Sequence, residues 1–314
     1  MKWKKYNSIA ALPEGLWEEK IARGDAAMDA RLWRVAERMC TDTAFEYWLG
    51  LQDDKPVALL AWTIRTGVAS TGTPETSGLP LWFDGSRVDR AAFLSQVLTE
   101  AGQGSRLVFQ DFIGAVADEW QTAFEAVGFQ ARRVLDLSLL AIPPQVHSLD
   151  EYPTVLNAKH RYRWNQYRAA IDRERYAVEA VTDYLPLLDR LYPLYVEVSQ
   201  RAREYRAEAW PEAYFRVVKE EFGDDATVMT IRERATDEYL GFMLLLYTAT
   251  SCVHQYIGFE RRDELFLWHN LVIESIGDAL HRNVRRINMG VTHAEAKHKF
   301  GAITQPVFFF ASLI

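Results

Sequence analysis

Cysteine is nearly missing from this 314-residue chain, which holds only Cys40 and Cys252, far apart. That count supports neither a disulfide framework nor a paired-cysteine zinc site, and it fits a reducing compartment, the cytoplasm. Apolar runs of about 18 residues are also missing, so no membrane insertion is expected. The N-terminal Met1-Lys2-Trp3-Lys4-Lys5-Tyr6 is basic but lacks a signal peptide's apolar stretch. Positive charge is in deficit, with 36 Lys and Arg against 43 Asp and Glu and a net charge of −7. A blanket electrostatic grip on nucleic acid is therefore not expected, and DNA is not an expected partner. No His-Glu-x-x-His pattern offers a metal site, and no Gly-x-Ser-x-Gly elbow marks a hydrolase. Gly102-Gln103-Gly104 is too short for a nucleotide fingerprint.

Aromatic residues are plentiful, with 10 Trp, 14 Tyr and 16 Phe, and the apolar fraction is 49%. A well-filled core follows. Apolar periodicity predicts helices over 16–23, 26–40, 90–101 and 116–126, and strands over 45–51, 56–65, 106–112 and 131–142. Residues 67–80 read as a loop. Pro143-Pro144 interrupts the pattern and suggests a boundary, with domains at 1–145 and 146–314. The second half reads as a basic helix (152–175), a strand (177–181), helices over 185–202 and 211–222, and strands over 227–233, 239–247 and 252–259. A helix over 264–282, a short strand at 286–289 and a last strand over 306–314 complete it. The first half repeats a shortened version of this order, which hints at duplication.

Five stretches of the second half carry a family resemblance. They are Lys159-His160-Arg161-Tyr162-Arg163 through Arg168, Tyr195 through Arg201 with Tyr214-Phe215, and Tyr239-Leu240-Gly241-Phe242. The others are Ala279 through Gly290, ending in Asn288-Met289-Gly290, and Lys297-His298-Lys299-Phe300-Gly301. Together they resemble the GNAT (N-acetyltransferase) superfamily, and more narrowly its tandem subgroup containing the Fem-type peptidoglycan aminoacyltransferases. The resemblance covers residues 150–314, and over 1–142 it rests on element order. It implies an α/β fold with mixed sheets, in two GNAT-like domains side by side, and an N-acyltransferase or aminoacyltransferase. No tightly bound cofactor is expected. The donor would be aminoacyl-tRNA, or an acyl-CoA or acyl-carrier thioester, and the acceptor the amine of a small molecule or peptide. The acetyl-CoA branch places a glycine-rich turn before its central helix to wrap pyrophosphate. Here Gly258 through Phe266 has no glycine pair and carries Glu260, Asp263 and Glu264, with Arg261 and Arg262 to offset them.

Lys297 is the expected catalytic cation, since a held ammonium supports the oxyanion of aminolysis. His254 alternates with Cys252, Tyr256 and Gly258 along one strand, which predicts His254 and Tyr256 on one face as proton relays. Lys299 is the alternative to Lys297. The basic helix, through Arg161 and Trp164, is expected to meet a phosphate-bearing donor or a tRNA end. Arg201 and Glu204, in a cluster with Arg203 and Arg206, are expected to meet a carboxylate-bearing acceptor. Asn288 completes the substrate-binding set. The rival reading is a non-catalytic GNAT-like binding or assembly module.

Overall fold

Alternation of period two and period 3.6 resolves into thirteen strands and eight α-helices among the described residues of the computed structural model, which are 1–73, 75–101, 106–202 and 208–312. The expected Arg203, Glu204 and Arg206 cluster and Gly102-Gln103-Gly104 lie outside them. In chain order the elements of the first part are β1 (Lys2–Tyr6), α1 (Ala30–Met39), β2 (Ala44–Gln52), β3 (Lys55–Arg65), β4 (Val68–Thr71), β5 (Leu81–Phe83), α2 (Arg90–Ala101), β6 (Arg106–Ile113), α3 (Ala115–Ala126) and β7 (Phe129–Ala141). Then come α4 (Ala158–Ala169), β8 (Tyr176–Val181), α5 (Leu188–Arg201), α6 (Glu212–Phe222), β9 (Ala226–Glu233), β10 (Tyr239–Tyr247), β11 (Ser251–Phe259), α7 (Leu267–His281), β12 (Arg286–Asn288), α8 (Ala294–His298) and β13 (Ile303–Ser312).

The chain divides into two compact units, Met1–Asp136 with Gln305–Ile314, and Leu137–Thr304. The division lies within β7, upstream of the proline pair on which the sequence placed it. The last strand joins the first unit because β6 offers it an antiparallel edge, Val307 opposite Ile113 and Ala311 opposite Val108. Phe310 is buried there and stacks on Phe124 at 4.1 Å between ring centroids. Burying a Phe side chain contributes about 1.5–3 kcal/mol, enough to hold a terminal strand in place.

In the first unit the strands run β1-β2-β3-β4-β6-β13, with β5 paired to β3. Its core is aromatic, with Trp48, Trp62, Phe93, Phe109, Trp120 and Phe124 in one cluster. β1, read from sequence only as a basic terminus, is an edge strand paired to β2. Its lysines suit an edge, where charge blocks further pairing. β4 and β6 are parallel, pairing Val68, Ala69 and Ser70 with Arg106, Leu107 and Val108, after which β6 runs on alone on that side.

In the second unit the order is β7-β12-β11-β10-β9-β8. α7 packs one face in a cluster with Met243, Leu245, Tyr247, Cys252, Ile287 and Phe300. The expected long basic helix is shorter: Pro153 sits in a 3-10 turn, and the Asn157 side chain accepts from the His160 amide, capping α4 at Ala158. The helix expected from 264 begins at Leu267, because Phe266 is left-handed (φ 47°). Both cysteines are buried and unbridged.

Candidate active site in the second unit

The parallel pair β11 and β12 holds for only three registers, Ser251↔Arg286, Cys252↔Ile287 and Val253↔Asn288. β11 then runs on to Phe259, still paired with β10. The chain after Asn288 follows β7 instead: Met289 N donates to Ser138 O at 2.9 Å, and Ser138 N donates to Gly290 O at 3.0 Å. The two strands therefore part at His254. Gly290 turns the chain away with φ 79°, a conformation a side chain resists, and Asn288 Oδ1 accepts from its amide at 2.9 Å.

At this fork β11 carries a bulge. Leu244 pairs with Tyr256 and Leu245 with His254, so Gln255 is the extra residue. A bulge breaks the two-residue alternation. His254 turns to α7, where its Nε2 lies 3.0 Å from Ser275 Oγ. Gln255 and Tyr256 turn to the opposite face: Gln255 Nε2 donates to Tyr214 OH at 3.2 Å, and the Tyr256 ring lies 5.1 Å from that of Tyr195. The expectation that His254 and Tyr256 share a face is thus corrected. Tyr256 belongs to an aromatic group with Tyr195, Tyr214 and Phe215, and its hydroxyl accepts from Trp210 Nε1 at 2.8 Å.

Lys297 is 6% exposed, on the short helix α8. A β-carbon built on Gly290 would lie 3.8 Å from its Nζ, so the ammonium lies against the turn that opens the fork. A buried ammonium is costly and rare without a charge or dipole to answer it. Its field also reaches His254. Burial first, and the Lys297 charge second, push the imidazole down from its ordinary 6.5 to about 3. His254 is therefore neutral at physiological pH. An ammonium and an uncharged imidazole at one fork supply a charge for an oxyanion and a lone pair for a proton.

The other expected residues lie elsewhere. Arg161 is engaged with backbone carbonyls, Nε donating to Pro153 O and a terminal nitrogen to Leu156 O, both at 3.1 Å. Trp164 is 1% exposed and stacked on Tyr152, so it presents no face to a nucleotide. Further along the basic stretch, Arg168 pairs with Asp150, Arg173 with Glu274 and Arg175 with Glu233, which neutralises much of its charge. Arg201 donates to Glu197 and to Phe259 O, both at 2.7 Å, and lies over the Phe259 ring. Lys299 caps the end of α8; burial lowers His160 and His269, and the Lys299 charge adds to it, behind His298 and Lys159 at His160. Glu204 is outside the described residues. Before α7, Arg262 is tied to Glu260 at 2.7 Å and lies 3.7 Å from Glu238, so its charge is answered by carboxylates.

Two site residues gave no signal in the sequence. Ser275 is one of many polar residues on a helix, and only the fold brings it to a histidine 21 positions away. Ser138, on β7 beside Gly290, is fully buried, with a hydroxyl that has no hydrogen-bond partner among the described residues.

No family model and no curated protein matches the chain. Solved structures do. FemX superimposes with a TM-score of 0.62 at 11% identity, over 90% of each chain. L-PGS from Bacillus licheniformis gives 0.60 at 14%, over 95% of this chain and 90% of that one. A tandem GNAT protein from the clavulanic acid biosynthesis pathway gives 0.57 at 13%, over 99% and 98%. With the parted strands of the second unit, these likenesses show that the chain has the fold of FemX and of the tandem GNAT protein.

Proposed function

We propose that the chain is an N-acyltransferase, forming an amide between an activated acyl or aminoacyl group and an amine, with the reaction centred on the β11/β12 fork. The observation that carries this reading is a buried Lys297 beside a neutral His254 where the strands part. The acceptor's neutral nitrogen attacks the donor carbonyl. The new C–N bond forms, and the carbonyl oxygen becomes an oxyanion facing the Lys297 ammonium. His254 takes the proton released from nitrogen and passes it to the departing oxygen or sulfur as the C–O or C–S bond breaks. A base with a pKa near 3, held down by burial and by the Lys297 charge, is weak before the reaction begins. The oxyanion offsets that charge, so the imidazole gains basicity as the proton must leave. Positioning supplies much of the remaining rate.

The segment entering α7 supports an ester donor such as aminoacyl-tRNA over coenzyme A. It lacks the glycine pair that lets amides wrap a pyrophosphate, and Asp263 and Glu264 occupy the turn. The acceptor is a small-molecule or peptide amine. The test incubates the chain with aminoacyl-tRNA or acyl-CoA and a panel of amines, with and without ribonuclease, and detects amides by mass spectrometry. Product from aminoacyl-tRNA that ribonuclease abolishes is expected. Product from acyl-CoA that survives ribonuclease reverses the donor assignment, and no product from any donor supports a binding module.

A further inference from the structure

The hydroxyl of Ser275 has one proton and two neighbours. It lies 2.8 Å from Val272 O, three residues back on α7, and 3.0 Å from His254 Nε2. A carbonyl oxygen only accepts. If the hydroxyl proton went to the imidazole, two oxygens with lone pairs would face each other at 2.8 Å with nothing between them. The proton therefore goes to Val272 O, as helix serines commonly arrange it. Nε2 must then be the donor to Ser275 Oγ. That fixes the ring as the Nε2–H tautomer and leaves Nδ1 with the lone pair. Among the described residues no hydrogen bond reaches Nδ1.

We propose that Ser275 is a positioning residue that holds His254 in the Nε2–H tautomer, so that Nδ1 is the atom that takes the proton from the attacking amine. The inference rests on the acyl-transfer reading for its consequence, though the tautomer itself does not. Ser275 is fully buried on α7, and the β11 bulge brings His254 to it. Without that contact the two neutral tautomers compete, and the fraction with a bare Nδ1 falls. A ring held in the wrong tautomer loses its role as base although it remains in place.

The test labels the histidines of the whole chain with nitrogen-15 and reads two-bond proton–nitrogen correlations at pH 7, with His254 assigned by its loss in His254→Gln. In the wild type, His254 Nδ1 is expected at the lone-pair-bearing position and Nε2 at the protonated one. In Ser275→Ala the two nitrogens are expected to move toward each other. Its kcat should fall about 10- to 100-fold with KM unchanged. Ser275→Thr, which keeps the hydroxyl, should restore both. A wild-type His254 protonated on Nδ1 overturns the proposal even if no variant folds. So does a folded Ser275→Ala with wild-type shifts and kcat. If the chain transfers no acyl group from any donor, the acyl-transfer reading fails while the tautomer result still stands or falls on the spectra.

Discussion

The two units each contain a parallel strand pair that parts, and they fill the opening differently. In the first unit, β4 stops at Thr71 while β6 runs on. Thr71 Oγ1 accepts from Gln110 N at 2.8 Å and so ties the strands' diverging ends together. The chain then folds back with Thr73 and Thr76 buried and hydrogen-bonded to each other. In the second unit, β11 and β12 part at His254, and the nearby groups are Lys297 and an imidazole whose Nδ1 has no hydrogen-bond partner among the described residues. The same sheet geometry is thus closed by the protein's own hydroxyls in one place and furnished with a charge and a base in the other. Parting strands make a space, and the side chains at the fork decide whether chemistry is available there.

The largest effect that sharpens this contrast is expected at Lys297. Lys297→Met keeps the bulk of the side chain and removes the charge, and kcat should fall about 10²- to 10³-fold while the fold, checked by circular dichroism, persists. A wild-type rate in that variant would mean that the second fork is as inert as the first. Next is Gly258, on the stretch of β11 beyond its pairing with β12. A β-carbon there would lie 2.5 Å from Tyr195 N and 2.6 Å from Leu194 C, both in the backbone of α5. Gly258→Ala should cost about 1–3 kcal/mol by forcing α5 outward, measured as a lower denaturant midpoint. An unchanged midpoint would show that α5 does not brace the fork.

Thr71→Val tests the closed fork. It leaves the Gln110 amide without its acceptor and should lower stability by about 1–3 kcal/mol, with turnover per folded molecule unchanged. Loss of turnover at wild-type stability would place function in the first unit.

The last contrast is a difference in pH response. Burial raises Asp111, beside Gly72 on β6, from 3.8 to about 7, against a hydrogen bond from the Gly78 amide. The folded first unit keeps a proton that the unfolded chain releases, so its stability should fall as pH rises from about 4 to 7. His254 and His269 are lowered from 6.5 to about 3 and about 4, chiefly by burial. The unfolded chain gains protons that the folded second unit refuses, so its stability should fall as pH drops from 6.5 toward 4. Hydrogen exchange read by peptide, corrected for intrinsic rates, should show protection moving in opposite directions in the two units. Parallel changes in both would refute the contrast.

Much of the second unit could be read from local pattern. The meander β9-β10-β11, the helix after it and the short strand at 286 follow from period-two and period-3.6 repeats. Lys297 could be nominated only through the resemblance of Lys297-His298-Lys299-Phe300-Gly301 to a family element. The ion pairs of the basic stretch were not legible for a physical reason: the partners of Arg168, Arg173 and Arg175, which are Asp150, Glu274 and Glu233, come from elements that no window around residue 165 contains. Trp164 misled, because an aromatic among charges resembles a stacking platform until Tyr152 is found lying on it.

The sequence by itself determined most of the element types, with β1 and β4 among the exceptions, and the residues able to carry charge to a site, since each depends on neighbours a few positions away. The tertiary structure alone decided that Gln255 bulges and turns His254 from the face of Tyr256, that Ser275 meets its ring, that Lys297 is buried against Gly290, and that the last strand belongs to the first unit. Strand register and hydrogen-bond pairing join residues far apart along the chain, and neither is encoded in any local periodicity.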